Sequence, residues 1–214
     1  MRLVSFDGGF GRMEGAEVVP MGPDLVAWLG GAPVAESAAI PRGSLRMRAP
    51  VPRPGKIFGV GLNYRDHADE AGQPVPEVPI LFAKFANSVI GPGEPIVVPA
   101  ATEQPDYEVE LGVVIGRTAS EVAVGDALDH VGGYLCCNDV SARDLQLSVP
   151  QDPRQGDRHV PSVWPRARDL EIADPQALAI RCVLNGTTMQ DSSTAQMVFG
   201  VAELVSFISQ ASPP

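Results

Sequence analysis

The sequence predicts a β-rich α+β fold, and two observations indicate this class. Glycine and proline are frequent, with 22 and 21 of the 214 residues, and both favour turns between short strands over long helices. Apolar runs of strand length recur along most of the chain, whereas helical spacing of apolar residues is limited to short segments. Hydrophobic residues make up 44% and charged residues 20%, which is ordinary for a globular chain with a sizeable core.

Residues 1–48 are predicted to form a small N-terminal β-rich domain. Apolar runs at 3–6 and 16–19 are each followed by turn residues, which is the pattern of short strands. Residues 24–29 are compatible with a short helix, because an aspartate precedes their apolar residues and two glycines follow them.

Residues 49–55 are the predicted linker between two domains. This segment holds three prolines in seven residues, so it should be extended and semi-rigid. Residues 56–214 then form the larger domain. Its predicted core strands lie at 57–62, 78–83, 111–116 and 131–137. Apolar residues at helical spacing lie at 202–208.

The composition excludes some classes of binding partner and indicates a cellular compartment. The net charge is −10 and the basic residues are scattered, which argues against nucleic acid or an anionic membrane as a partner, since both require a basic patch. No stretch approaches the roughly 18 apolar residues of a membrane helix, and the N-terminus lacks the apolar run of a signal peptide. Three cysteines without C-x-x-C spacing indicate neither a disulfide framework nor a zinc site. The sequence therefore predicts a cytoplasmic protein.

Two glutamates, Glu108 and Glu110, stand immediately before the apolar run at 111–115. Because residues i and i+2 of a strand point to the same face, their carboxylates should project together. Adjacent like charges repel by something on the order of 1 kcal/mol, so the pair requires a cation or solvent. A metal site at the end of a buried strand and a solvated strand face both fit this pair when it is taken alone.

A third carboxylate, Asp139, follows the strand predicted at 131–137. Beside the glutamate pair it would complete a site of three hard oxygen ligands, which suits Mg²⁺, Mn²⁺ or Ca²⁺ better than zinc. The alternative is an aspartate at a turn or helix N-cap, with Arg143 as its ion-pair partner. The residues alone leave both interpretations open.

His67 and Glu70 are three residues apart in a segment, 65–71, that can form a helix. On a helix they would share one face, and a carboxylate that accepts the ring N–H of a histidine raises the basicity of that histidine. Such a pair can act as a general base for water. A surface helix with solvated charges is the alternative. His130, at a helix-to-strand junction, is interpreted as structural.

Several motifs, taken in order along the chain, resemble those of the fumarylacetoacetate hydrolase family. The resemblance covers roughly Arg53 to Gln210, and its best stretches are 54–64, 79–84, 107–116, 132–134, 138–146 and 184–186. It implies mixed β-sheets rolled around a metal site, with residues 56–214 as the catalytic domain, usually in a homodimer. By the same resemblance Glu108, Glu110 and Asp139 correspond to the ligands of Mg²⁺ or Mn²⁺, with Ca²⁺ also allowed.

The resemblance implies further roles around that metal. His67 with Glu70 resembles the water-activating dyad of the family. Arg143 and Gln146 resemble its substrate-contacting pair, and Lys84 matches a further active-site lysine. The implied substrate is a small anionic diketo or oxo acid.

The chain departs from the family pattern in two places. At about 155–170 the residues do not match the family's Gly-Lys-Ser/Thr-Phe-Asp stretch, and no lysine follows Lys84, so a second active-site lysine is missing. Arg158 keeps a positive charge there, but a guanidinium differs in shape and does not lose its proton. The family's Gly-Asp strand and Gly-Thr-Pro turn are not found after Gln210, which predicts a catalytic domain truncated at its C-terminal end.

Two functions from different classes follow. The first is a divalent-metal-dependent hydrolase that cleaves a C–C bond in acylpyruvate- or fumarylacetoacetate-type diketo acids, or a related decarboxylase or isomerase. The second is a catalytically impaired relative, or a gene remnant, that retains only metal binding or dimerisation. A shared fold and metal site do not specify the substrate. The segment 157–168 and turnover with added Mg²⁺ discriminate between the two functions.

Overall fold

The computed structural model describes residues 1–147, 168–169 and 172–211. Short strands and turns dominate these residues, which confirms the β-rich α+β class. The strands are, in chain order, β1 (Arg2–Phe6), β2 (Gly9–Glu14), β3 (Glu17–Gly22), β4 (Ile40–Pro41), β5 (Met47–Arg48), β6 (Ile57–Gly61), β7 (Ile80–Lys84), β8 (Pro105–Asp106), β9 (Val109–Ile115), β10 (Val131–Asn138), β11 (Ser141–Ala142), β12 (Arg168–Asp169), β13 (Ala179–Leu184) and β14 (Thr187–Ser193). The α-helices are α1 (Leu25–Leu29), α2 (Arg65–Glu70), α3 (Arg143–Leu147) and α4 (Val201–Ala211).

The largest sheet joins the N-terminal strands to the strands that lead into the candidate site. Its order is β4-β3-β2-β1-β12-β10-β9, and β5 also pairs with β1. The two-residue strand β12 makes the connection, because Asp169 pairs with Arg2 of β1 and with Tyr134 of β10. The sheet therefore continues past the linker proposed at 49–55, and the division into two domains stays a prediction.

The N-terminal strands and their short helix form as the sequence predicts. Helix α1 begins after Asp24, whose carboxylate accepts hydrogen bonds from the backbone N–H groups of Val26 at 2.8 Å and Ala27 at 3.1 Å. This N-cap satisfies donors that have no partner inside the helix. The helix closes a small core whose buried members are Leu3, Phe10, Met21 and Leu25.

A second core lies where α4 packs against β10 and a 3-10 helix at Val124–His130. Its buried members are Val122, Ala127, Tyr134, Val201 and Val205. Two serines of α4 add polar contacts, since Ser206 donates to the carbonyl of Val122 at 2.7 Å and Ser209 accepts from its N–H at 3.0 Å. The helical spacing at 202–208 thus corresponds to a helix that covers the back of β10.

Three two-stranded sheets complete the described structure: β6 with β7, β8 with β11, and β13 with β14. Each contributes residues to one large open cavity, which β9 also lines. In the described part of the chain, no helix combines the length and the apolar character that crossing a membrane requires.

Candidate metal and substrate site

The three candidate metal ligands line one cavity, at the ends of two paired strands. Glu110 lies on β9 opposite Cys137 of β10. Glu108 precedes the first residue of β9, and Asp139 follows the last residue of β10. The backbone N–H of Asp139 donates to the carbonyl of Glu108 at 2.8 Å. The strand pairing therefore brings residues some thirty positions apart to one place, as the sequence pattern anticipates.

Two cationic side chains are bonded to these carboxylates. Arg143 donates from Nη2 to Oε1 of Glu108 at 2.5 Å and from Nε to Oδ2 of Asp106 at 2.8 Å. Lys84 is ion-paired with Asp139 through Nζ and Oδ1. The ion pairs of Arg143 that the structure gives are with Glu108 and Asp106, and the ion pair of Asp139 is with Lys84.

The third carboxyl group, that of Glu110, is hard to ionise. Burial raises the pKa of Glu110 to about 8, and the negative charges of Glu108 and Asp139 act in the same direction. The positive charge of Lys84 partly opposes them. Burial and two neighbouring negative charges therefore favour the protonated form of this carboxyl group.

The chemistry of this donor set fits a hard divalent cation, since its atoms are carboxylate oxygens. In residues 1–147 and 172–211, however, no three His, Cys, Asp or Glu side chains are arranged to hold an ion directly. Arg143 is ion-paired with Glu108, and Lys84 is ion-paired with Asp139. A cation held by all three would replace those contacts, and the ligand role of Glu108, Glu110 and Asp139 stays a prediction.

Lys84 is positioned by the hairpin of β6 and β7. Its side chain is 5% exposed, and its Nζ lies 5.5 Å from the centroid of the Phe82 ring. The ring in turn lies over Gly59, where an added Cβ would be 2.2 Å from a ring carbon. A side chain at this position would therefore displace the Phe82 ring from its place near the lysine.

Arg143 and Gln146 form a direct pair at the start of α3. Arg143 donates from Nη1 to Oε1 of Gln146 at 2.8 Å. The helix is fastened by Asp144, whose carboxylate accepts from Thr102 Oγ1 at 2.5 Å and from the N–H of Glu103 at 2.9 Å. The structure thus brings together the two residues predicted to contact substrate, and their role stays a prediction.

His67 and Glu70 lie on α2, as predicted, and both line the same cavity. Both residues are exposed, and in the part of the chain that the structure describes their side chains make no hydrogen bond to each other. The backbone N–H of His67 donates to Oδ1 of Asp66 at 2.9 Å. The two residues of the proposed dyad therefore share a helix, but their side chains are not hydrogen-bonded to each other.

The start of α2 is anchored to residues near the C-terminal end. The amide of Asn63 accepts from the N–H of Phe199 at 3.0 Å and donates to its carbonyl at 3.1 Å. Arg65 donates from Nη1 to the carbonyl of Met197 at 2.7 Å. The preceding Leu62 has a φ of 52°, an uncommon backbone conformation for a branched side chain. The paired amide contacts hold this turn in place.

The structure adds residues that sequence reasoning did not select. Asp106 is the second carboxylate partner of Arg143. Its position two residues before Glu108 is the sequence feature that could have identified it as a site residue. Asn138 accepts from the N–H of Glu108 at 3.2 Å. The hydroxyl of Tyr64 is buried and has no hydrogen-bond partner among the described residues, and burial followed by the charge of Glu110 raises the pKa of Tyr64.

His130 has the structural contact expected of it, because its Nδ1 lies 2.8 Å from the carbonyl oxygen of Thr118. The divergent segment at about 155–170 lies almost wholly outside the described residues. The consequences expected from Arg158 and from the missing second lysine therefore stay predictions.

Comparison with known proteins assigns the chain to a family. The model of the family described as fumarylacetoacetate (FAA) hydrolase C-terminal matches residues 56–213, which is well over half of the chain. The chain belongs to the fumarylacetoacetate hydrolase family, an enzyme family, as its motifs imply.

A curated relative is similar over most of this chain. The oxaloacetate tautomerase FAHD2A, mitochondrial, of Bos taurus is 41% identical over 175 residues, which cover 80% of this chain and 56% of the relative. The chain therefore spans about half the length of the curated relatives it matches.

Solved structures share the curled, strand-rich fold. The 5-carboxymethyl-2-hydroxymuconate delta-isomerase from Mycobacterium smegmatis has a TM-score of 0.81 and 28% identity, covering 99% of this chain and 82% of that chain. The fumarylacetoacetate hydrolase from Exiguobacterium antarcticum has a TM-score of 0.79 and 29% identity, with the same coverage of 99% and 82%. A maleylpyruvate hydrolase from Sphingobium sp. SYK-6, solved with manganese (II) and pyruvate, has a TM-score of 0.78 at 23% identity, with coverage of 100% and 84%, which is a likeness of fold.

Proposed function

We propose that this chain is a divalent-metal-dependent enzyme that acts on a small oxo or diketo acid. The observation that carries the proposal is the group of three carboxylates, Glu108, Glu110 and Asp139, on a cavity that also presents Arg143 and Lys84. Carboxylate oxygens suit Mg²⁺ or Mn²⁺, and also Ca²⁺. Guanidinium and ammonium groups suit an anionic substrate.

The chain's own residues would hold the substrate in three ways. Arg143, released from Glu108, would bind a substrate carboxylate through two parallel N–H groups. Gln146, already bonded to that guanidinium, would offer its amide N–H to a neighbouring oxygen. Lys84, released from Asp139, would donate to the oxygen on which negative charge develops.

A bound divalent cation would supply Lewis-acid polarisation of the oxo acid's oxygens at this site. The protein groups around it would keep the substrate in one orientation, which lowers the entropic part of the barrier.

The reaction that we infer first is the interconversion of keto and enol forms of a small oxo diacid such as oxaloacetate. Support comes from the 41% identity with a relative named oxaloacetate tautomerase. In this reaction the enol oxygen loses a proton and the adjacent carbon gains one. Solvent water would serve as the proton acceptor and donor, so the reaction needs neither an attacking water nor an assembled dyad of His67 and Glu70. In this chain those two side chains are exposed on α2, which is compatible with such a reaction.

Hydrolysis of a C–C bond in an acylpyruvate-type diketo acid is the second candidate. The observation that favours it is the location of His67 and Glu70 on the wall of the same cavity. If the two side chains approach each other when substrate binds, the imidazole would take a proton from water while the carboxylate orients the ring. The catalytically impaired relative remains the alternative to both reactions.

The experiment measures three reactions on the full chain after removal of metal by a chelator. Enol–keto interconversion of oxaloacetate, decarboxylation of oxaloacetate and hydrolysis of an acylpyruvate are followed by absorbance, with and without Mg²⁺ or Mn²⁺. We expect metal-dependent interconversion that Glu110→Gln abolishes and His67→Ala leaves intact. Glu17→Gln, an exposed glutamate on β3, is the matched control.

The outcomes separate the candidates. Rapid hydrolysis that His67→Ala abolishes would favour the second reaction and would show that the divergent segment is no obstacle. Tight Mn²⁺ binding without turnover of any substrate would identify an impaired relative.

The assembly and the location are parts of the same proposal. We expect a homodimer, supported by an exposed apolar run in which the side chains of Ile96, Val97 and Val98 are 43%, 77% and 47% exposed. Light scattering on the purified chain tests the dimer, and a monomer at micromolar concentration would contradict it. A cytoplasmic location is tested by imaging a tagged chain in cells.

A further inference from the structure

Gln190 lines the same cavity as the candidate site, but it comes from a hairpin to which no role has been assigned. It belongs to β14, in the separate hairpin that β14 forms with β13. The residues before it on this strand, 187–189, are exposed, whereas Gln190 is half-buried. Its side-chain amide reaches the backbone at the start of β9.

The amide of Gln190 bonds to the backbone on both sides of Glu108. Its Oε1 accepts from the N–H of Val109 at 2.8 Å, and its Nε2 donates to the carbonyl of Tyr107 at 3.4 Å. Backbone groups of an extended chain that point to one edge are those a neighbouring strand would bond. A single glutamine side chain therefore takes the place of a strand partner here.

Glu108 itself is bonded on the opposite side. Its N–H donates to Oδ1 of Asn138 at 3.2 Å, and its carbonyl accepts from the N–H of Asp139 at 2.8 Å. The regular pairing of β9 with β10 ends at Val109 opposite Asn138, one residue short of Glu108. The direction of the Glu108 side chain is thus set by these individual contacts and not by the sheet ladder.

We propose that Gln190 is a positioning residue, which aims the Glu108 carboxylate at Glu110 and Asp139 and thereby sets the affinity of the chain for a divalent cation. The metal readout of this proposal rests on the proposed function. Without the amide, the backbone at Tyr107 and Val109 loses two contacts, and Glu108 is held less firmly in its direction toward the cluster. Residues that hold metal ligands in place contribute about 10–100-fold to metal affinity.

The test measures Mn²⁺ binding by titration calorimetry on the full wild-type chain and on Gln190→Met, which keeps the length of the side chain and removes its amide. We expect the dissociation constant to rise about 10–100-fold, while the melting temperature of the metal-free protein changes little. Thr188→Val, an exposed position on the same strand, is the control and should bind Mn²⁺ like the wild type. Gln190→Asn, which keeps the amide on a shorter side chain, should also bind weakly.

A second measurement does not depend on metal. Hydrogen exchange of the Val109 amide should accelerate in Gln190→Met because its acceptor is gone. Equal Mn²⁺ affinity of the wild type and Gln190→Met, or an equal loss in Thr188→Val, would overturn the positioning role. A wild type that binds no Mn²⁺ would contradict the proposed function, and unchanged Val109 exchange would independently contradict the contact on which Gln190 acts.

Discussion

The ammonium group of Lys84 is bonded to the carboxylate of Asp139, across the space between β7 and the end of β10. The two side chains are only 5% and 15% exposed, so each charge depends on the other for compensation. In the metal-free chain a lysine thus neutralises a carboxylate that the proposed function assigns to a metal. Under the proposed function, the ammonium group and the metal ion would compete for this carboxylate.

The first prediction follows from this competition. Lys84→Met should lower the free energy of unfolding of the metal-free protein by about 3 kcal/mol, because it removes the ammonium group that compensates the largely buried Asp139 carboxylate. Saturating Mn²⁺ should restore most of that loss by binding the folded state. Urea denaturation with and without Mn²⁺ measures both effects. Lys56→Met, at an exposed lysine, is the control, and an undiminished loss in saturating Mn²⁺ would contradict the competition.

The second prediction concerns Arg143, which holds Glu108 and Asp106. Arg143→Gln should tighten Mn²⁺ binding, because it removes a nearby positive charge and frees a carboxylate. The same variant should raise the KM for the oxo acid by about tenfold or more, since a charged contact to substrate is lost. Calorimetry and steady-state kinetics test the two parts. Weaker metal binding would show that the guanidinium supports the ligands and does not compete with the ion.

The third prediction is a pH dependence of metal binding. The pKa of Glu110 is raised to about 8, so at neutral pH its proton must leave before the carboxylate can bind a cation. Affinity for Mn²⁺ should therefore rise roughly tenfold per pH unit from pH 6 to about 8 and then level off. Calorimetry in buffers of different ionisation enthalpy should detect the released proton. Glu110→Gln should bind weakly and lose this dependence, and a flat profile in the wild type would refute it.

The raised pKa of Glu110 also predicts the stability of the metal-free chain. The folded state retains the proton that the unfolded chain releases near the ordinary value of 4.5. Stability without metal should therefore fall as the pH rises from that value to about 8. Melting temperatures across this range test the sign, and saturating Mn²⁺ should reduce the slope. A rise in stability over the same range in the wild type but not in Glu110→Gln would contradict it.

The fifth prediction concerns the anchor of α2. Asn63 is 5% exposed and its amide makes two hydrogen bonds to Phe199. Asn63→Ala should lower the free energy of unfolding by about 2 kcal/mol, because two half-buried backbone groups of Phe199 lose their partner. Denaturant unfolding measures the change, and Asn87→Ala, at an exposed asparagine, should have almost no effect. Equal effects in the two variants would argue against the anchor.

Sequence reasoning located the main strands and the carboxylate group because both depend on local patterns. The alternation that points Glu108 and Glu110 to one face is a property of any strand, and the apolar runs beside them indicated burial. Asp139 was brought in by family resemblance, and the pairing of β9 with β10 places it beside Glu108 as expected.

The contacts that join distant parts of the chain could not be predicted from local sequence patterns. Nothing local to Lys84 indicates Asp139 as its partner, since the two residues are 55 positions apart. Likewise a glutamine on an exposed hairpin carries no pattern that points to the backbone of β9. Such partners are set by how separate sheets pack, which periodicity along the chain does not encode.

The anchor between Asn63 and Phe199 spans 136 positions, and this span has a consequence for synthesis on the ribosome. Contacts between distant residues form only after the loop that joins them can close. A nascent chain that has not yet exposed residues 197–199 already holds β9 and β10, and with them the three carboxylates. It has no partner for the turn before α2. The emerging protein should therefore acquire its acidic cluster first and seat the helix that carries His67 last.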